Sequence, residues 1–136
     1  MRMGKVSVFL IFMLLYGGSV DSAEDKKLKQ TRTFSSLTYN REGGDLVGAE
    51  IKIVPTRKGF QGALQIAEGG PSPLMVVDVL FDKDQIKFKI PESYSQYGGG
   101  VFEGKIDSKE LSGTFTFRGV RGDKEILIRG CSYWDK

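Results

Sequence analysis

Cys131 is the only thiol in the chain, and there is no histidine. A nucleophilic cysteine needs a neighbour that favours the thiolate, and Arg129, two residues upstream, is the nearest cation able to supply that. One cysteine cannot close an intrachain disulfide, so its other uses are a buried structural thiol or a disulfide between two copies, and both outrank catalysis. Without imidazole, Ser-His and Cys-His pairs and histidine-ligated zinc are excluded. No metal-ligand set and no cofactor motif is present.

Asp78, Glu103 and Asp107 offer the two carboxylates a glycosidase needs. Glu103, however, falls on the polar side of an alternating segment and Asp107 in a turn, so solvation and turn chemistry explain them better. Two other groups suit recognition. The segment Glu92 to Gly100 (ESYSQYGGG) joins Tyr94 and Tyr97 to serine and glycine, a composition that suits an adaptable loop and could place both rings as a lid at a barrel mouth. Arg129, Tyr133 and Trp134 combine a guanidinium with two amphipathic rings near the C-terminus. They could hold a small anionic or aromatic ligand, or close one end of the fold through a cation resting on a ring. The expected ligand-binding residues are therefore Tyr94, Tyr97, Arg129, Tyr133 and Trp134, with no catalytic residue.

The segments that must position these residues alternate with period two. Val47, Ala49, Ile51 and Ile53 face away from Gly48, Glu50 and Lys52. Phe60, Gly62, Leu64 and Ile66 do the same, as do Ile86, Phe88 and Ile90, then Phe102, Gly104 and Ile106, then Leu111, Gly113, Phe115 and Phe117. Turn residues stand between them at Pro55 to Gly59, Gly69-Gly70-Pro71, Asp82-Lys83-Asp84, Asp107-Ser108-Lys109 and Arg121-Gly122-Asp123. With Phe34 to Tyr39 and Glu125 to Ser132 as first and last strands, the chain reads as an all-β, antiparallel, up-and-down meander of about eight strands. Closure into a small barrel removes both free edges and the uncovered apolar face; a β-sandwich is the alternative. Three strands repeat large-x-Gly-x-large, at Gly62, Gly104 and Gly113. An inward glycine there permits bending and lets a neighbouring aromatic ring lie across the strand.

Leu74 to Phe81 is apolar on both sides except at Asp78. Leu74, Val76 and Leu80 form the expected outer strip, which is either covered by the N-terminal segment or an interface with another copy.

Arg2 and Lys5 precede the apolar run Val6 to Tyr16 and then small and polar residues to Ala23, the order of a secretory signal peptide. The run is well short of the roughly 20 residues that span a bilayer core. Residues 1–23 are thus expected to be a leader, 24–33 a polar tail and 34–136 a single barrel domain, in a periplasmic or secreted protein. The formal net charge of +3 over 136 residues, without a clustered basic face, gives no case for nucleic acid.

The leader, the meander, the large-x-Gly-x-large strands and an arginine on the last strand together resemble the small exported lipocalin-like (calycin-like) β-barrel proteins of bacterial envelopes, many without an assigned role. The Gly-x-Trp signature of lipocalins proper is missing, as is the helical lid of fatty-acid-binding barrels. The resemblance implies a barrel without naming a ligand. The function expected is a non-enzymatic exported binding module. The alternative is a protein-binding envelope factor, an inhibitor or accessory subunit, working through its surface and loops. A packed interior would favour the second and an internal cavity the first.

Overall fold

A computed structural model describes residues 30–94 and 98–136. The leader, most of the polar tail and Tyr97 lie outside the described residues. Among the described residues, nine strands run in chain order: β1 Arg32–Ser35, β2 Thr38–Asn40, β3 Asp45–Thr56, β4 Gly59–Gly69, β5 Met75–Asp82, β6 Gln85–Ile90, β7 Gly100–Ile106, β8 Glu110–Phe117 and β9 Val120–Arg129. From β3 to β9 each strand pairs antiparallel with the next, β9 pairs with β1, and β1 pairs with β3. Eight antiparallel strands therefore close into a barrel, with β2 as one extra strand. A short 3-10 turn, Tyr133–Asp135, is the one helical element among the described residues.

The alternation works as its pattern requires. In β6 (QIKFKI), Ile86, Phe88 and Ile90 are buried while Gln85, Lys87 and Lys89 are exposed. Phe88 stacks on Phe102 across the β6–β7 pair, with centroids 4.8 Å apart, and Phe115 meets Phe102 edge-on at the same separation. Phe34, Ile51, Leu64, Leu111 and Leu127 complete a continuous core through the barrel. Such ring pairs contribute about 0.5–1.5 kcal/mol each beyond the area they bury.

Glycine fits where strands approach most closely. Gly104 pairs with Gly113, and a Cβ on Gly113 would lie 2.6 Å from Phe102 Cζ and 2.3 Å from the Glu103 carbonyl oxygen. The ring does lie across the strand, as the repeat implied.

Two expected boundaries shift. The last hairpin turns at Arg118-Gly119, not at 121–123: both residues have positive φ, 52° and 76°, the backbone a two-residue type I′ turn demands. The last strand consequently starts at Val120. The first strand also breaks in two. β1 and β2 pair with β3 in one continuous register, Ser35 opposite Glu50 and Thr38 opposite Val47, but the chain bends at Ser36-Leu37. Ser36 holds that bend through its N–H to the Ala49 carbonyl at 2.8 Å and its hydroxyl, which accepts from the Ala49 N–H at 3.0 Å.

Candidate binding clefts at the barrel mouth

The bend at Ser36 decides the shape of one end of the barrel. β1 pairs with β9 only through Phe34 opposite Arg129 and Ser35 opposite Ile128. Past Ser36 the chain pairs with β3 alone, so among the described residues Val120 to Leu127 of β9 have no paired strand on that side and the wall opens. The opening leads into a cleft of about 590 Å³, lined by Gly48, Ile66, Ala67 and Glu68 on one wall and by the β8–β9 hairpin, including Phe115, Phe117, Arg118, Asp123 and Glu125, on the other. Its floor is apolar because Ile66, Phe115 and Phe117 are inward residues at the end of the core. Its rim carries three carboxylates, Glu68, Asp123 and Glu125, against one guanidinium.

Tyr94 stands beside this cleft. The loop after β6 turns its ring into the main core, where it is 6% exposed and lies 5.6 Å, centroid to centroid, from Phe117. On its other side is a second cleft of about 500 Å³ lined by Ile66, Glu68, Ser72, Leu74, Met75 and Tyr94 among others. Ile66 and Glu68 border both clefts, and the paired rings of Tyr94 and Phe117 line one cleft each.

The other expected site residues lie elsewhere. Tyr133 and Trp134 pack edge to face at 5.2 Å on the outer wall. Tyr133 covers a small cluster of Leu37, Leu46 and Ala67, and Trp134 Nε1 donates to Gln65 Oε1 at 2.8 Å. The turn that carries them is tied to Glu50, which accepts from the Ser132 hydroxyl and from the Tyr133 N–H at 2.7 Å. Glu50 sits on the face that alternation marks as wet, yet it is buried at 8% exposure because the C-terminus folds over it. A contact spanning more than eighty residues leaves no local signal in the sequence. Arg129 does not join the rings: its Nη1 donates to the Ser108 carbonyl at 3.2 Å. The combined cation and aromatic group is therefore corrected to a latch on the side wall and a separate arginine at the opposite end of the barrel. Cys131 is exposed, which rules out the buried structural thiol and leaves the disulfide between two copies as the remaining expected use.

The three carboxylates weighed for hydrolysis have structural partners. Glu103 pairs with Lys87 at 3.1 Å. Asp107 Oδ1 accepts from the N–H groups of Lys109 and Glu110 at 2.7 and 2.8 Å, and Asp78 takes a long contact from Gln61. Among the described residues, no group of three or more His, Cys, Asp or Glu is placed to hold a metal ion, and no helix is long and apolar enough to cross a membrane.

Leu74, Val76 and Leu80 are exposed at 71, 69 and 64%. The described part of the N-terminal segment pairs with β3 and β9, so it does not cover this strip. Pairing between β5 and β6 stops at Val79 opposite Phe88, and a cleft of about 530 Å³ opens there beside Val76, Asp78, Leu80 and Lys89. No family model, curated protein or solved structure matches the chain.

Proposed function

We propose that this chain is an exported, non-enzymatic binding module of lipocalin-like build, working in the periplasm or outside the cell. Its ligand enters the barrel mouth between the β3–β4 wall and the β8–β9 hairpin. The observation that carries this reading is the 590 Å³ cleft with an apolar floor and three rim carboxylates, a volume in the usual range for small-molecule sites. Apolar floor and acidic rim together select an amphipathic cation: an alkyl or aromatic body against Ile66, Phe115 and Phe117, with a positive group near Asp123 and Glu125. The middle of the barrel is filled by aromatic side chains, which by the interior criterion counts toward the surface-binding reading; what supports a small-molecule site is the cleft at the mouth, so the ligand occupies the mouth and not the centre. Isothermal titration with decyltrimethylammonium and decyl sulfate, both as monomers, tests this. The cation should bind more tightly, and the double variant D123N/E125Q should erase the difference. Equal binding of the two amphiphiles by the wild type would overturn the reading.

The exposed strip Leu74, Val76 and Leu80 supports a second reading, contact with a protein partner or a second copy through the outer face of β5. Cys131, exposed near the C-terminus, adds a covalent route to a dimer. Sedimentation of the wild type and of Val76→Lys distinguishes them: a dimer through the strip becomes monomeric on substitution. A dimer through Cys131 dissociates only on reduction.

A further inference from the structure

At the closed end of the barrel, the register that pairs Phe34 with Arg129 places Arg32, two residues before Phe34, diagonally beside Arg129 on the same face. Each arginine is poorly satisfied. Arg129 spends one N–H on the Ser108 carbonyl. Arg32 Nε is buried without a hydrogen-bond partner, in a fold where nearly all such atoms have one. Among the described residues, neither guanidinium has a carboxylate within ion-pair distance; the ion pair found there is Lys87 with Glu103, on the β6–β7 wall. Burial, and then the like charge of Arg129, pull Arg32 below the ordinary arginine value. Two neighbouring cations with an orphaned donor repel each other unless an anion lies between them.

We propose that Arg32 and Arg129 form a binding site for an oxyanion, a carboxylate or phosphate group, at the closed end of the barrel, separate from the mouth clefts. Guanidinium forks match the planar spacing of such oxygens, and paired forks bind them more strongly than single ammonium groups do. The anion supplies the acceptor that Arg32 Nε lacks and offsets the repulsion between the two charges.

The test uses the full-length chain and inorganic phosphate as the probe, against chloride at matched ionic strength. Two signals are read: the thermal midpoint and the Arg32 Nε–Hε resonance. Phosphate should raise the midpoint and move the resonance where chloride does not. Arg32→Gln and Arg129→Gln should each weaken the apparent affinity at least about tenfold, the loss of one charge-assisted fork. R121Q/K124Q, which removes two charges from β9 at the mouth end of the barrel, should bind as the wild type does. An acetate arm separates carboxylate from phosphate preference, and vesicles of phosphatidylglycerol against phosphatidylcholine separate a lipid headgroup from the free ion. The proposal is overturned if chloride reproduces the phosphate response, if neither signal responds to phosphate or acetate, or if R32Q and R129Q respond like the wild type.

Discussion

The Cα of Gly48 passes so close to Ser36 that a Cβ there would lie 2.5 Å from the Ser36 carbonyl oxygen, and Gly48 holds a φ of +113° that side chains strongly disfavour. This crossing lets the chain leave β1, detach from β9 and continue as β2. The open side of the mouth therefore depends on a glycine facing a serine twelve residues before it. Gly48→Ala meets both backbone strain and a steric clash, together about 2–4 kcal/mol of destabilisation. Chemical denaturation should show that loss, whereas Gly59→Ala, with a positive φ but open space around it, should lose about 1–2 kcal/mol, from backbone strain alone.

Glu50 anchors the C-terminal turn from beneath, and Trp134 is the only tryptophan in the chain. Glu50→Ala leaves the Tyr133 N–H and the Ser132 hydroxyl without their acceptor, a loss of about 1–3 kcal/mol. As the turn lifts, Trp134 Nε1 leaves Gln65 and its emission should shift to the red. Glu50→Gln, which keeps an acceptor oxygen, should retain more of the wild-type emission.

With its Nε buried without a partner and a like charge nearby, Arg32 is expected to diminish the stability of the fold when no anion is bound. Its folded-state value lies below the unfolded one, so at acid and neutral pH, where both states carry the proton, the penalty is present in full. It fades only as pH rises from the folded to the unfolded value, in the strongly alkaline range. Arg32→Leu should therefore raise the thermal midpoint in chloride buffer by an amount constant through the acid and neutral range. In phosphate the gain should shrink, because the wild type alone is stabilised by the anion.

Gly113 and Gly70 separate close packing from open surface. A Cβ on Gly113 would press on Phe102 and on the Glu103 carbonyl, while nothing lies within 4 Å of one on Gly70. Gly113→Ala should cost at least about 2 kcal/mol through overpacking, and Gly70→Ala should leave stability within about 1 kcal/mol of the wild type. Urea midpoints measure both.

The barrel was legible because each core strand announces itself locally. Phe88, Phe102 and Phe115 alternate with polar neighbours, and Asp107 binds the N–H groups of its own turn. Tyr94 stood out for the same reason, as a large ring in a loop of small residues. The mouth was not legible. In β9, Val120 to Lys124 are all exposed, so no apolar alternation marks where the strand starts, and Gly122 imitates a turn that Arg118-Gly119 makes. Glu50, Tyr133 and Trp134 form a latch only through contacts between mid-chain strands and the C-terminal turn, 69 to 83 residues apart. The Arg32 and Arg129 pair arises from barrel closure, which sets β1 beside β9 and has no counterpart in local pattern.

The most direct test of ligand binding at the mouth is an amide chemical-shift titration of the wild type with decyltrimethylammonium below its micelle concentration. Shifts should concentrate at Gly48, Ile66, Glu68, Phe117, Asp123 and Glu125, with Tyr94 following as its paired ring Phe117 responds, while decyl sulfate leaves those residues unmoved. Shifts confined to Leu74, Val76 and Leu80 on the outer strip, or equal for the two amphiphiles, would refute a ligand site in this cleft.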